Sequence, residues 1–364
     1  MNILYIMNVD WNWIKQRPHF LAEELEKYFK VKILYQHRYK RKSFQKRKLS
    51  KAIMPVFVIP KGEKNYLSRK INSKIWSMVI SLLNYIEKYQ YIYLTFPSQI
   101  EYVKNFKGKL IYDCMDNHCA FIQDEDKKNK LIDQERKLVN KANIILCSSN
   151  KLKEQLLERY GKKIESKIQI VRNGYDGKIL ENSLKPSNND HLVISYVGTI
   201  SNWFDFETIL KSTVDFPDIE YRLYGPYEEN AIPKNIKNIK FMGVIEHDKI
   251  FDYIKNSDCL IMPFKVNDII EAVDPVKLYE YINYNKNIIS VYYKEIERFK
   301  EFVYFYKDYE GLKKILQSII VNNQIIYNQD QRKAFLLSNT WSNRGKEIKN
   351  IILNDYECRI KYEN

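Results

Sequence analysis

Four short apolar runs, each followed by a glycine or a proline, decide the fold of the second half of this chain: LVISYVG at residues 192–198, YRLYGP at 221–226, IKFMGV at 239–244 and CLIMPF at 259–264. Continuous apolar runs of this length are typical of strands that are buried on both faces. Segments with helical spacing lie between them, at 206–214 and 247–255. Strands that alternate with helices predict a parallel sheet covered by helices on both sides.

The first half of the chain repeats this alternation. Residues 2–7 form an apolar run, a loop follows at 8–17, and Pro18 suits the start of a helix before a second run at 31–35. A chain of 364 residues also exceeds the usual size of one hydrophobic core. We therefore expect two doubly wound α/β domains, at 1–183 and 190–335, joined by a polar linker at 182–190. Helices at 336–364 are expected to pack back toward the first domain.

The positive charge is concentrated in the first half. Residues 1–185 hold 37 Lys and Arg against 19 Asp and Glu, a balance of +18, whereas residues 186–364 hold 23 against 26, a balance of −3. The densest basic run is at 38–48. Such a half favours an anionic partner, either nucleic acid, a phospholipid surface or an anionic polymer, although a solvated loop is the simpler interpretation of the run itself. Without a helix-turn-helix, zinc-finger or RNP-type signature, we expect no nucleic acid and favour an anionic membrane surface.

Cysteine usage and hydropathy suggest a cytoplasmic location, at the inner face of a membrane. The five cysteines form no CxxC pair, and a reduced protein is the simpler interpretation. The N-terminus lacks the basic and long apolar regions of a signal peptide. The most apolar stretch, at 76–86, is too short to span a bilayer.

Several enzyme classes are excluded by missing motifs. No G-x-G-x-x-G follows the first strand and no G-x-x-x-x-G-K-[ST] occurs, which argues against dinucleotide-dependent dehydrogenases and P-loop enzymes. The metalloprotease motif H-E-x-x-H and the hydrolase motif G-x-S-x-G are missing too. The D-x-D spacing at 124–126 lies in a charged helical run, so we expect no metal site there.

Together with DPVKLYEY at 274–281, the four apolar runs resemble the nucleotide-binding half of GT-B glycosyltransferases, close to glycosyltransferase family 4. In the first half, WIKQRPH at 13–19, YDCMD at 112–116 and VRNG at 171–174 resemble a bacterial branch that synthesises polysaccharides of the teichuronic acid kind. The resemblance covers nearly the whole chain. It implies the GT-B fold, in which two Rossmann-like domains face each other across a cleft. It also implies transfer of a sugar from a nucleotide-diphosphate donor, a UDP-sugar, to a glycan or lipid-linked acceptor in surface polysaccharide synthesis, with no metal and no cofactor.

The donor site is expected beyond the carboxyl ends of the strands in the second domain. The leaving diphosphate needs positive charge, which a helix N-terminus and a basic side chain supply. Asp274 is a plausible N-cap and Pro275 suits the first turn, while Lys277 adds a full charge. The resemblance implies that Glu280 binds the ribose hydroxyls. The full set of donor-site candidates is Gly198, Thr199, Tyr224, Gly225, Val244, Ile245, Asp274, Pro275, Val276, Lys277 and Glu280.

The acceptor side is expected in the first domain. An inverting transferase needs a general base, and Asp116 is the first candidate for it and His118 the second, both after a predicted strand. Capping of a helix by Asp116 and simple surface exposure of His118 are the alternatives. Contacts with the acceptor or a phosphate are expected from Trp13, Gln16, Arg17, His19 and Asp113.

Two points stay open. Related enzymes often carry two glutamates with seven residues between them, and Ala272 stands where the first would be, so the sequence does not decide between retention and inversion. Nucleotide-sugar 2-epimerases share the architecture and are an alternative reaction. A non-enzymatic nucleic-acid-binding protein is the alternative from another class.

Overall fold

The computed structural model describes residues 1–37, 52–59, 66–180, 191–227, 238–246 and 249–363, with side chains as far as residue 357. The chain divides into two units, which we call unit 1 (Met1–Asn173 with Trp341–Asn364) and unit 2 (Gly174–Thr340). The basic run at 38–48 and the predicted linker at 182–190 lie outside the described residues.

Unit 1 contains a parallel sheet of seven strands within its described part. The strands are β1 (Asn2–Met7), β2 (Lys30–Gln36), β3 (Ile53–Val56), β4 (Tyr91–Leu94), β5 (Lys109–Cys114), β6 (Ile144–Cys147) and β7 (Ile168–Ile170). They are ordered β3-β2-β1-β4-β5-β6-β7. The helices are α1 (Arg17–Leu25), α2 (Tyr66–Glu87), α3 (Glu125–Lys141) and α4 (Asn150–Tyr160). Strand order reverses between β1 and β4, which is where doubly wound sheets bind ligands.

Unit 2 contains a second parallel sheet, with six described strands in the order β10-β9-β8-β11-β12-β13. The strands are β8 (Val193–Val197), β9 (Glu220–Tyr224), β10 (Ile239–Gly243), β11 (Cys259–Met262), β12 (Asn287–Val291) and β13 (Tyr304–Tyr306). The helices are α5 (Phe206–Asp215), α6 (Ile250–Ile254), α7 (Val276–Asn283), α8 (Tyr309–Val321) and α9 (Gln329–Ser338). Both sheets have the Rossmann strand order, so the predicted pair of doubly wound α/β domains is confirmed.

The two units divide at a different place from the predicted linker. Tyr175 donates its N–H to the carbonyl of Asn339 (2.7 Å) and forms an isolated bridge with Thr340. These bonds tie the segment after Asn173 to unit 2, so that the boundary lies at 173/174 instead of near residue 185.

The C-terminal helix α10 (Trp341–Glu363) belongs to unit 1. The Trp341 ring stacks on Phe20 of α1 with 4.8 Å between ring centres, and Ile348 and Ile352 are fully buried. The helices expected from residue 336 onward are thus split, because α9 ends in unit 2 before α10 begins.

Local chemistry explains several helix starts. Ser149 caps α4 by accepting the N–H of Leu152 at 3.1 Å. Asp124 caps α3 in the same way, accepting the N–H of Lys127, and its carboxylate also pairs with the Lys127 ammonium at 2.6 Å. The D-x-D spacing at 124–126 is therefore a helix start. Helix α2 contains the apolar stretch at 76–86 and begins ten residues before it.

Candidate functional site

The first cluster of predicted residues lies at the carboxyl edge of the unit 1 sheet and is centred on a buried ion pair. Arg17, at the first position of α1, donates from Nη2 to Oδ1 of Asp113 at 2.9 Å and from Nε to both carboxylate oxygens at 3.1 Å. Its Nη1 donates to the carbonyl of Arg172 and to Oδ1 of Asn173, both at 3.2 Å. The exposed fractions of Arg17 and Asp113 are 6% and 0%.

This geometry corrects the predicted role of Arg17. Four of its five N–H donors are already used, and the Asp113 carboxylate neutralises its charge. The side chain therefore joins α1, β5 and the segment before the unit boundary, and it does not present a free anion site. The carboxylate of Asp113 is occupied by the ion pair with Arg17 and does not face an acceptor.

His19 is likewise a structural residue. It is fully buried, and its Nδ1 accepts the N–H of Gln16 at 3.2 Å, so Nε2 carries the proton and donates to the carbonyl of Asp10 at 3.3 Å. The Trp11 ring lies 5.4 Å from it. His19 thus closes the first loop onto α1. Of the candidates in that loop, Gln16 is exposed and Trp13 is half-buried, and their contact with an acceptor stays a prediction.

Asp116 has the electrostatics that a general base requires. It is half-buried in the loop that follows β5. Burial raises the pKa of its carboxyl to about 7; Arg17 opposes this effect and the negative charge of Asp113 adds to it. A carboxylate that titrates near neutral pH can accept a proton efficiently at that pH.

His118 lies two residues further on and is kept neutral. Burial lowers the pKa of His118 to about 4. Its ring centre is 4.7 Å from that of Phe96, and its Nε2 has no hydrogen-bond partner within the part of the chain that the structure describes. The alternative of simple surface exposure does not describe His118, because its half-buried ring packs against an aromatic side chain.

A buried network that sequence reasoning missed holds this loop in place. Arg159 of α4 donates to Oδ1 of Asn117 at 3.2 Å and to Glu135 of α3 at 2.7 Å. Glu135 is 1% exposed and also accepts from the hydroxyls of Tyr112 and Tyr160. The helical spacing of α3 gave no sign of this role, because nothing in the sequence links Glu135 to the loop at 115–118.

In unit 2, three glycines end adjacent strands at the carboxyl edge. Gly198 follows β8 and donates its N–H to the carbonyl of Tyr224, and Gly225 follows β9 and donates to the carbonyl of Gly243, both at 2.8 Å. Gly225 has a φ of +141°, and a Cβ added there would lie 2.1 Å from the carbonyl oxygen of Gly198. These three strand ends carry no Cβ of their own, and we call them the glycine edge (Gly198, Gly225 and Gly243).

Lys277 lies across the glycine edge. A Cβ added at Gly198 would lie 2.2 Å from Cε and 2.8 Å from Nζ of Lys277. The predicted reason for Gly198, close approach of a phosphate, is therefore incomplete, since the glycine also makes room for the lysine. Burial lowers the pKa of Lys277, and the nearby Glu280 partly offsets this effect. Among the described residues Nζ has no hydrogen bond and no ion pair, with the ring of Tyr196 at 6.0 Å.

Asp274 does not cap α7, which corrects the prediction. It is 3% exposed, forms an ion pair with Arg298 and accepts from the hydroxyl of Tyr279 at 3.3 Å. The N-cap position is Pro275, which has no side-chain donor or acceptor to offer. The first N–H groups of α7, at Val276 and Lys277, therefore receive no side-chain cap. Arg298, which no motif in the sequence signalled, keeps Asp274 away from them.

The remaining donor candidates differ in what they offer. Tyr224 is 2% exposed and donates its hydroxyl to the carbonyl of Tyr253 at 3.4 Å, so its side chain belongs to the core and only its backbone reaches the edge. Thr199 is exposed, and Val244 and Ile245 follow Gly243 in an extended segment. Glu280 is half-buried one turn beyond Lys277. Ala272 is 2% exposed, so a buried methyl group fills that position.

The described residues contain neither a candidate membrane span nor a candidate metal cluster. No described helix is long and apolar enough to cross a bilayer. No group of three or more His, Cys, Asp or Glu side chains in the described ranges could hold a metal ion.

Comparisons with known proteins agree with the geometry. No family model matches the chain. The chain is 24% identical over 216 residues to TuaH of Bacillus subtilis, which is named as a glycosyltransferase of teichuronic acid biosynthesis. The match covers 54% of each protein, so it spans about half the length of that relative.

Two solved structures match over nearly their full length. Sucrose-phosphate synthase from Thermosynechococcus elongatus has a TM-score of 0.72 at 12% identity, covering 98% of this chain and 99% of that one. HepE of Anabaena, solved with UDP and glucose, has a TM-score of 0.68 at 12% identity, covering 96% and 98%. At this identity the structures show the fold alone. The chain has the GT-B fold, and its predicted resemblance to GT-B glycosyltransferases is confirmed.

Proposed function

We propose that this chain is a glycosyltransferase that transfers a sugar from a UDP-sugar to a glycan or lipid-linked acceptor in surface polysaccharide synthesis. The observation that carries the proposal is the ammonium group of Lys277, which is desolvated, forms no ion pair among the described residues and lies beside Gly198 of the glycine edge. A buried charge of this kind is costly unless an anion joins it. The uncapped start of α7 beside it offers N–H groups to the same anion.

The chemistry of sugar transfer fits this arrangement. As the bond between the sugar and the diphosphate breaks, negative charge builds up on the diphosphate, and fixed positive groups at that point stabilise the transition state. Lys277 and the first N–H groups of α7 would hold the diphosphate, with no metal required. Glu280 would accept hydrogen bonds from the ribose hydroxyls, and backbone groups at Val244 and Ile245 would hold the base. The UDP bound to HepE supports uracil as that base.

Asp116 would take the proton from the acceptor hydroxyl. Its carboxyl titrates near neutral pH because it is buried, so the charged form is available at pH 7 and above. His118 is the weaker candidate, because its low pKa makes it a poor proton acceptor. Trp13 and Gln16 would contact the acceptor glycan. The name of TuaH supports a cell-envelope polysaccharide as that acceptor.

A thermal-shift screen with UDP, GDP, ADP and CDP tests the donor assignment, since a ligand that binds only the folded state raises the melting temperature. We expect the largest shift with UDP. A 2′,3′-dideoxy analogue of UDP tests the ribose contact: the wild type should bind UDP more tightly than the analogue, and Glu280→Ala should bind both equally. If no nucleoside diphosphate shifts the melting temperature, the proposal is wrong.

Product analysis separates transfer from epimerisation. With UDP-sugars and no acceptor, a transferase leaves the sugar configuration unchanged, whereas a 2-epimerase changes it at C2. NMR spectra of the donor before and after incubation distinguish the two. A C2-epimerised donor formed without acceptor would replace the transferase assignment.

A further inference from the structure

Helix α2 exposes a surface that is unusual for a folded unit. Seven of its 22 residues are large hydrophobic side chains that remain exposed. The exposed fraction is 68% for Met78, 60% for Leu82 and 83% for Tyr85. Leu67, Ile71, Met78, Leu82 and Tyr85 recur at spacings of three, four or seven residues, so they lie on one side of the helix. We call this side the α2 face.

The opposite side of α2 already fastens the helix to unit 1. Trp76 and Ile80 are buried, and the Trp76 ring stacks on Tyr102 with 5.1 Å between ring centres. The Ser77 hydroxyl donates to the carbonyl of Tyr102 at 3.1 Å. The α2 face is therefore not needed to build the core.

The charges on the α2 face are all of one sign. Lys70 and Lys74 are exposed on the same side of the helix as Ile71 and Met78. Residues 66–86 contain no Asp or Glu, and the one acid of α2, Glu87, forms an ion pair with Lys30. The basic run at 38–48 precedes α2 in the sequence, and β3 is the described element between them.

We propose that the α2 face is a membrane-binding surface that lies in the headgroup region of an anionic bilayer, with its apolar side chains inserted and its lysines on the lipid phosphates. Amphipathic helices bind in this way when apolar side chains and clustered cations share one surface. Charge complementarity selects the lipid, because an anionic bilayer offers both hydrocarbon and negative charge to the same face. Tyr66 and Tyr85, near the two ends, are residues that favour the membrane–water interface. The proposal does not depend on the transferase assignment, and its test needs no enzyme activity.

Co-sedimentation of the full chain with vesicles of phosphatidylcholine, with and without phosphatidylglycerol, measures this binding. We expect binding only where phosphatidylglycerol is present, and it should weaken as salt rises. Each lysine at the surface contributes about fivefold, so Lys70→Glu with Lys74→Glu should weaken binding about 25-fold or more. Met78→Ser with Leu82→Ser should weaken it about tenfold or more.

Matched changes in unit 2 control for net charge and for surface hydrophobicity. Lys314→Glu with Lys333→Glu makes the same charge change at exposed lysines, and Val214→Ser with Val321→Ser removes two exposed apolar side chains. Both control proteins should bind vesicles as the wild type does. Equal losses in the controls and the α2 variants would mean that net charge or general stickiness drives binding, and would overturn the proposal.

A probe attached to the helix reports insertion directly. The four described cysteines are buried, so a Cys358→Ser background leaves Leu82→Cys as the accessible thiol for an environment-sensitive dye. Its emission should shift to the blue with anionic vesicles, whereas the same dye at Leu337→Cys, at an exposed leucine of unit 2, should not shift. No shift at residue 82 would contradict insertion. A concentration-dependent dimer in sedimentation velocity that Met78→Ser with Leu82→Ser abolishes, without vesicle binding, would assign the face to self-association instead.

Discussion

Replacement of Lys277 by methionine should stabilise the ligand-free protein and weaken binding of UDP. Methionine preserves the volume of the side chain that lies over Gly198 but removes the desolvated ammonium. Burial lowers the pKa of Lys277, so the folded state binds its proton less tightly than the unfolded chain does. The protonated lysine therefore costs stability at neutral pH, and this cost disappears as pH rises through the lowered pKa toward the ordinary value.

The substitution should raise the stability of the ligand-free protein and lower its affinity for UDP, and the two effects differ in size. Without ligand, Lys277→Met should gain about 1 kcal/mol and raise the melting temperature by about 2–4 °C. Loss of a hydrogen-bonded charge from the diphosphate should cost about 1.5–3 kcal/mol, which weakens UDP binding about 10- to 150-fold. The gain in stability should shrink as the pH rises through the lowered pKa of Lys277, because the wild-type lysine is then increasingly neutral.

Calorimetric titration with UDP and UMP, together with thermal melts, measures both effects. The loss of affinity should be larger for UDP than for UMP, which lacks the second phosphate. Lys286→Met is the matched control, because burial lowers the pKa of Lys286 as well, but its ammonium donates to the carbonyl of Lys255 at 2.8 Å. That variant should bind UDP normally and gain no stability. A Lys277→Met protein that is less stable than the wild type and binds UDP equally well would refute the reasoning.

Three further predictions concern the other elements of the site. The turnover rate should fall as the pH drops through about 7, where Asp116 takes up a proton. Asp116→Asn should lower turnover about 100-fold or more and remove that limb of the pH–rate profile. An unchanged profile in this variant would exclude Asp116 as the base. Arg17→Met should destabilise unit 1 by about 3–5 kcal/mol in urea unfolding, because it leaves a buried carboxylate unpaired; a loss below about 1 kcal/mol would contradict this. Gly225→Ala should lower the melting temperature more than Gly243→Ala. Both glycines have positive φ, but only the first substitution places a methyl group against the carbonyl of Gly198. Equal decreases in melting temperature would show that backbone strain alone is responsible.

The fold could be predicted well from the sequence because its signal is local. In unit 2, an apolar run that is followed by a glycine or proline indicates a strand. The alternation of these runs with helical segments predicts a parallel sheet. The strand order could not be obtained in this way, since nothing in β8 states that β9 and β11 are its neighbours. The boundary between the two units could not be obtained from the sequence for a similar reason. Polar composition marked 182–190, whereas pairing of Tyr175 with residues 339–340, far away in sequence, sets the boundary.

Contacts between residues far apart in sequence decide what several of the candidate site residues do. Arg17 and Asp113 are 96 residues apart, so their ion pair, which uses up both groups, was invisible in the motifs that contain them. Asp274 has the sequence position of a helix cap, but Arg298 draws its carboxylate elsewhere. The position of Lys277 at the start of α7 was recognisable from spacing, whereas its path over Gly198 depends on how α7 packs beside β8.

The return of α10 to unit 1 sets the order in which the two units can be completed during synthesis. Unit 2 is an insertion in unit 1, and its residues leave the ribosome before the helix that covers α1. Until Trp341, Ile348 and Ile352 emerge, the apolar surface of α1 has no cover, while unit 2 already has its whole sequence. Domains fold as units once their residues are available. A nascent chain stopped near residue 340 would therefore carry a finished unit 2 beside an incomplete unit 1, and premature termination should yield aggregation-prone fragments even when only the last helix is missing.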